Sequence, residues 1–253
     1  MHISELRGGI FDVDDTLFDN RPPGFTYNIH QESRLAALHA TGQKYDLPAL
    51  LAVTPDQNEI AFRSAPTHSV NGAVWNILTG AGILTGEYDP THPLIQEIVD
   101  LKDELHEAIL LEHGIAVTGS PEFVRKYAGH VGAKHLAIGS TAIRRDIDLA
   151  LQIMELTEFF PAARIISKHD VTHPKPHPEV FNLAFERLQL PMSARRHVPV
   201  FEDDPRGIEA GKAAGHPVIA ITQRYSREQL GNLAIKPDFI VESFAEAEQL
   251  LGM

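Results

Sequence analysis

Six short apolar runs, each closing on polar or small residues, are spread along this chain, and helix-length segments lie between most of them. The first is Gly8-Gly9-Ile10-Phe11-Asp12-Val13, and the others fall at residues 134–139, 163–167, 197–201, 217–221 and 238–241. A brief apolar run without polar alternation is how a strand reads when both faces of its sheet are covered. Helical periodicity occupies 121–131, 178–188, 205–214 and 243–251. Strands that alternate with helices need crossover connections, which makes the sheet parallel. The expected fold class is α/β, with a Rossmann-like parallel-sheet core.

From about Leu17 to Ala116 that rhythm breaks. Helical patterns cover 28–40, 70–78 and 92–113, and no convincing strand is present. Pro22-Pro23-Gly24 marks the entry, and Gly114 with Gly119-Ser120-Pro121 marks the exit. The spacing predicts a core built from 1–16 and 117–253, interrupted by an all-helical inserted domain over 17–116.

Charge and composition narrow the function. Acidic side chains outnumber basic ones by 34 to 22, a formal net charge of −12, which disfavours nucleic acid and anionic membrane as partners. No apolar run approaches the roughly 18 residues of a membrane span. The absence of cysteine excludes disulfides, thiolate metal sites and a cysteine nucleophile. Residues 1–7 carry no apolar signal core, so a cytoplasmic protein is expected.

Four polar signals sit where strands are expected to end, the edge at which open α/β sheets bind ligands. In Asp12-Val13-Asp14-Asp15-Thr16, a strand running through Asp14 would turn Asp12 and Asp14 to one face. Two carboxylates so placed repel unless a cation lies between them or one keeps its proton. They can supply a nucleophile and an acid/base, or two metal ligands; an acidic turn is the plainer alternative. Gly139-Ser140-Thr141 can hydrogen-bond a phosphate or simply cap a helix. Lys175, between Pro174 and Pro176, suits a fixed cation for a phosphoryl group, or is a solvated loop lysine. In Glu202-Asp203-Asp204-Pro205, Asp204 reads as a helix N-cap before a first-turn proline, which leaves Glu202 and Asp203 as hard-cation ligands. Together these four ends form the equipment of phosphoryl transfer through an aspartyl-phosphate.

The four motifs, in this order and with a helical insert after the first, resemble the haloacid dehalogenase superfamily, in its phosphatase and β-phosphoglucomutase-like branch with a helical cap. The match covers about residues 8–20 and 117–241. The resemblance implies Asp12 as nucleophile and Asp14 as general acid/base. It implies Ser140 as a phosphoryl ligand with Thr141 beside it, Thr16 as a further phosphate contact, and Lys175 bound to Asp12 and phosphate oxygens. It implies Mg²⁺ on Asp12, the Asp14 carbonyl and Asp203, with Glu202 a further ligand or a supporting partner. A small phosphorylated metabolite is then the substrate. Mutases of the family carry a histidine shortly after the first motif, whereas this chain has Gly24 at that place in Asp19-Asn20-Arg21-Pro22-Pro23-Gly24. That favours hydrolysis over a sugar-phosphate mutase. A receiver-like phosphate-binding protein fits less well, because no aspartate ends the run Ala137-Ile138-Gly139.

Other signals carry less. Gly207-Ile208-Glu209-Ala210-Gly211-Lys212 has the wrong glycine spacing for a phosphate loop and reads as close helix packing. His169, His173 and His177 stand four apart, but Pro174 and Pro176 forbid the helix that would align them, so no histidine metal site is expected. Trp75 and Phe62 read as core of the inserted domain, and Arg63 as a solvated side chain.

Overall fold

The computed structural model describes residues 1–65 and 69–253. Its strands, in chain order, are β1 (Gly9–Phe11), β2 (Phe18–Asp19), β3 (Ile115–Ala116), β4 (Leu136–Gly139), β5 (Ile165–Ile166), β6 (Val200–Glu202), β7 (Val218–Ile221) and β8 (Phe239–Val241). Six of them form one all-parallel sheet in the order β5-β4-β1-β6-β7-β8. The chain steps outward from β1 to β4 and β5, then returns to the other side of β1. The order therefore reverses around β1, and ligands of such sheets bind outside the strand ends at that reversal.

The chain divides into two compact units, Met1–Asp19 with Gly114–Met253, and Asn20–His113. The second is helical: α1 (Ile29–Lys44), α2 (Pro48–Leu51), α3 (Pro55–Arg63), α4 (Val70–Gly80) and α5 (Pro93–His113). Its core gathers Ala37, Leu38, Leu50, Val74, Leu78, Ile95 and Ile98. Trp75 belongs to that core, while Arg63 is exposed and pairs with Glu59 one turn back. The expected absence of strands between residues 17 and 116 needs correcting. Phe18–Asp19 and Ile115–Ala116 pair as a two-stranded antiparallel ribbon at the root of the insert. Each is only two residues long, too short for any periodicity to register.

The α/β unit adds α6 (Ser120–Val131), α7 (Arg144–Ile153), α8 (Glu179–Arg187), α9 (Pro205–Ala213), α10 (Arg227–Gly231) and α11 (Phe244–Leu251). One sheet face is aromatic: Phe11 stacks on Phe201 of the next strand, ring centroids 4.5 Å apart, with Phe123, Tyr127 and Phe160 edge-on around it. The other face packs Ile10, Ala137 and Val200 against Val180, Phe181, Ala184 and Ile208. Two glycines are demanded by these layers. A Cβ on Gly9 would lie 2.8 Å from the Tyr127 ring, and one on Gly139 2.9 Å from Phe181. Among the described residues no helix is long and apolar enough to cross a membrane.

Candidate active site

The first motif departs from expectation in its backbone. β1 stops at Phe11, and the chain turns at once instead of running on as a strand through Asp14. The Val13 carbonyl accepts from the amides of Thr16, Leu17 and Phe18, and Asp15 takes a left-handed φ of 56°. Asp12 keeps one ladder bond, donating its amide to the Phe201 carbonyl, so it is the last residue held by the sheet. It is buried, and Asp14 is half-buried in the turn beyond it.

Asp12, Lys175, Glu202 and Asp203 come together at this sheet edge, all buried. Lys175 Nζ donates to Asp12 Oδ1 at 2.6 Å and to Glu202 Oε1 at 2.7 Å, and lies 4.8 Å from the centre of the Phe181 ring. Glu202 Oε2 accepts from the amides of Asp203 and Asp204, each at 2.8 Å. Both oxygens of Glu202 are therefore engaged by the protein. Its seat exists only because position 207 is glycine: a Cβ there would stand 1.7 Å from Glu202 Oε1. Gly211, by contrast, packs against Val218, as close helix packing requires.

Asp203 has a different environment. Oδ1 accepts from Thr16 Oγ1 at 3.2 Å, and Oδ2 is buried with no hydrogen-bond partner among the described residues. One ligand atom from each of Asp12, Glu202 and Asp203 can be chosen within 4.8 Å of the others. Burial pushes Asp12 well above the usual carboxylate range, Glu202 and Asp14 add to the shift, and Lys175 opposes it. Burial likewise raises Asp203, reinforced by Glu202, Asp12 and Asp15, while Arg224 opposes it. Lys175 moves the other way from what its burial alone would give, because Asp12 and Glu202 hold it protonated. Crowded carboxylates whose charge the protein under-compensates, with one buried oxygen left over, are a donor set for a hard divalent cation such as Mg²⁺.

Ser140 is the first residue after β4, buried, and its Oγ accepts the Ala142 amide at 3.1 Å, leaving the hydroxyl proton to donate. β1 and β4 run with Phe11 beside Ile138, so Asp12 and Ser140 leave the same edge on adjacent strands. Thr141 is half-buried next to it. Thr16 is fully buried, and its hydroxyl is directed to Asp203. Asp204 caps α9 through the Arg206 amide at 2.9 Å, with Pro205 in the first turn.

Two arginines escaped the sequence reading. Arg224, just past β7, lies 3.5 Å from Asp15 and 3.6 Å from Asp204. The side chain of Arg206 donates to the Lys175 carbonyl. The signal for Arg224 was its position, since β7 ends at the same sheet edge as β1, β4 and β6.

The chain is similar to known proteins. A model of the haloacid dehalogenase-like hydrolase family matches residues 7–215. The fructose-1-phosphate phosphatase of Escherichia coli is 25% identical over 214 residues, covering 85% of this chain and 95% of that one. A pyrophosphatase of Anoxybacillus flavithermus is 31% identical over 119 residues, 47% of this chain and 52% of its own length. Among solved structures, a haloacid dehalogenase-type hydrolase of family IA, variant 3, from Entamoeba histolytica superposes with a TM-score of 0.71 at 16% identity, covering 95% of each chain.

Proposed function

The chain belongs to the haloacid dehalogenase-like hydrolases, and we propose that it is a metal-dependent phosphatase, cytoplasmic, acting on a small sugar phosphate or similar metabolite through a phosphorylated Asp12. That it hydrolyses phosphoric monoesters follows from the family and from phosphatases among its relatives. The single observation that carries the finer reading is Lys175 bridging Asp12 and Glu202 beside an Asp203 oxygen with no donor among the described residues.

In this reading Lys175 holds one Asp12 oxygen and so fixes the direction of the other. Asp12 attacks phosphorus in line with the ester bond; a P–O bond to Asp12 forms as the bond to the leaving oxygen breaks. Asp14 gives its proton to that oxygen, and an alcohol departs. Asp14, now a carboxylate, takes a proton from a water that attacks the same phosphorus. The bond to Asp12 breaks, inorganic phosphate leaves, and both aspartates return to their starting states. Ser140 donates its hydroxyl to a nonbridging oxygen, with Thr141 next to it, and Lys175 offsets charge there. Asp12, Asp203 and the Asp14 carbonyl would hold Mg²⁺, which when bound supplies charge neutralisation at the phosphoryl oxygens.

Two residues take supporting roles in this proposal. Glu202, its charge neutralised by the buried ion pair with Lys175 and its other oxygen on two amides, positions Lys175 and the Asp203 backbone rather than serving as a further ligand. Thr16 orients Asp203 instead of touching phosphate. The helical insert would act as a cap that excludes bulk water. Gly24, standing where a mutase histidine would fall, favours hydrolysis.

The test is phosphate release from a panel containing fructose 1-phosphate, other sugar phosphates and pyrophosphate, with Mg²⁺ and after chelation. Turnover of sugar phosphates that stops on chelation is expected. Full activity in chelated buffer would overturn the metal assignment, and turnover of pyrophosphate alone would overturn the substrate class.

A further inference from the structure

The segment that carries Lys175 bears a second constellation on its exposed side, which the phosphatase reading does not use. Pro174 and Pro176 do forbid a helix there, but they do not scatter the histidines. The loop folds into a turn closed by the His177 amide on the Pro174 carbonyl at 3.0 Å. That turn brings the His173 and His177 rings together, tilted at 39° with centroids 4.6 Å apart. The prolines do exclude a helix, yet the turn they flank gathers His173 and His177, while His169 stays outside the cluster.

Glu179, in the first turn of α8, completes the group. Its Oε2 lies 3.0 Å from His173 Nδ1 and 3.8 Å from His177 Nδ1. Ligand atoms on a tetrahedral zinc, bound at about 2.0–2.2 Å, stand about 3.3–3.5 Å apart, so both spacings are within roughly 0.5 Å of that requirement. One ligand atom from each residue lies within 4.8 Å of the other two. We infer that His173, His177 and Glu179 form a binding site for a zinc-class divalent cation on the Lys175 loop, distinct from the carboxylate cluster at the sheet edge.

Access and preorganisation both favour it. The histidine side chains are 63% and 51% exposed, so an ion reaches them from solvent without opening the fold. Glu179 is already held in place, accepting the Thr172 and His173 amides at 3.0 and 2.9 Å. His177 Nδ1 accepts the Glu179 amide at 3.3 Å, and His173 Nδ1 is hydrogen-bonded to Glu179 Oε2 at 3.0 Å; an ion binding there exchanges these two hydrogen bonds for metal bonds. Two imidazoles and one carboxylate select zinc, copper or nickel over magnesium and calcium. Three protein ligands leave a fourth position for water. An ion so bound would clamp the chain on both sides of Lys175.

The test uses zinc alone as probe, added to the full chain in saturating Mg²⁺ and followed by competition with a chromogenic chelator. Wild type should bind one zinc that His173→Gln and His177→Gln each weaken at least tenfold, while His169→Gln leaves it unchanged. Asp203→Asn should also leave it unchanged, which separates this site from the acidic cluster. Circular dichroism on each variant verifies folding, which exposed substitutions should preserve. Equal zinc uptake by wild type and both histidine variants would overturn the inference, as would no zinc uptake by wild type.

Discussion

Each unit of this protein buries a network of polar side chains, and the two networks differ in whether their bonds close. In the helical unit Arg34 is buried over the Phe62 ring and donates to Asn58 Oδ1 at 2.5 Å. Asn58 in turn donates to the Gln31 carbonyl at 3.0 Å, and Gln31 to the Pro55 carbonyl at 3.1 Å. Donor meets acceptor around that chain of contacts, and it ties α1 to α3. At the α/β sheet edge one lysine serves two carboxylates, while a third carboxylate keeps a buried oxygen with no donor among the described residues. A closed polar network specifies structure; crowded buried carboxylates with an oxygen left over suit a cation.

The contrast can be broken most severely at Asp12. Asp12→Asn should abolish phosphate release by at least about a thousandfold, roughly 4 kcal/mol in the barrier. Its melting temperature should hold or rise, because the change removes a carboxylate that burial already disfavours in its charged form. Assay and melting curve together decide it.

Gly207→Ala carries the next effect. Its Cβ would occupy the Glu202 carboxylate position, so Glu202 must move and release Lys175 and the Asp203 and Asp204 amides. A loss of kcat of about a hundredfold is expected, about 2.7 kcal/mol. Unchanged kinetics would remove Glu202 from the supporting role given to it.

In the helical unit the corresponding break is one of stability. Arg34→Met should cost about 2–4 kcal/mol in urea unfolding, since it leaves Asn58 Oδ1 buried and unpaired. Arg34 titrates near 10, lowered by burial against a weaker opposing pull from Glu59, so it is charged throughout the working range and this loss should not vary between pH 6 and 8.

A smaller, pH-dependent effect belongs to His216, buried with its Nδ1 on the Val198 carbonyl at 2.7 Å and Nε2 without a partner among the described residues. Burial chiefly, with Arg195 adding, lowers its pKa to about 4 from the usual 6.5. The unfolded chain then takes up a proton below pH 6.5 that the folded chain refuses until pH 4. Stability from this group therefore falls as pH drops through that window, by about 2 kcal/mol between pH 7 and 5. Asp12 and Asp203, raised in the fold, push in the opposite direction. The informative quantity is thus the difference between wild type and His216→Asn across that range, and a difference independent of pH would contradict it.

The smallest effect separates two neighbours. Asp204→Ser should keep the α9 cap and cost at most about 1 kcal/mol with little change in Mg²⁺ requirement. Asp203→Asn should raise the Mg²⁺ concentration for half-maximal rate substantially. A larger shift for Asp204→Ser would move the ligand register by one residue.

How much of this was legible in the sequence depended on whether a signal was local. The end of β4 at Gly139 is legible, since an apolar run stops there at Ser140, whereas the strand expected through Asp14 ends at Phe11 in a turn on the Val13 carbonyl that no local pattern announces. Lys175 touches Asp12 across 163 residues, a contact that no periodicity encodes and only resemblance suggested. Glu202 was read as one residue beyond its strand, so its burial and its two amide contacts were hidden. The helix α3 went unread although Thr54, Pro55 and Gln57 spell a capping box with proline in the first turn. Its apolar positions are too few for a period of 3.6 to stand out. In the histidine loop the prolines exclude a helix, but no local pattern shows the turn from Pro174 to His177 that gathers His173, His177 and Glu179.

The most direct measurement is the location of the phosphoryl group during turnover. Enzyme mixed with Mg²⁺ and its best sugar-phosphate substrate, quenched in acid and digested, should carry one added phosphoryl group on the peptide containing Asp12, and Asp12→Asn should carry none. A phosphoryl group on any other residue, or phosphate release by Asp12→Asn at the wild-type rate, would contradict the assignment of Asp12 as nucleophile.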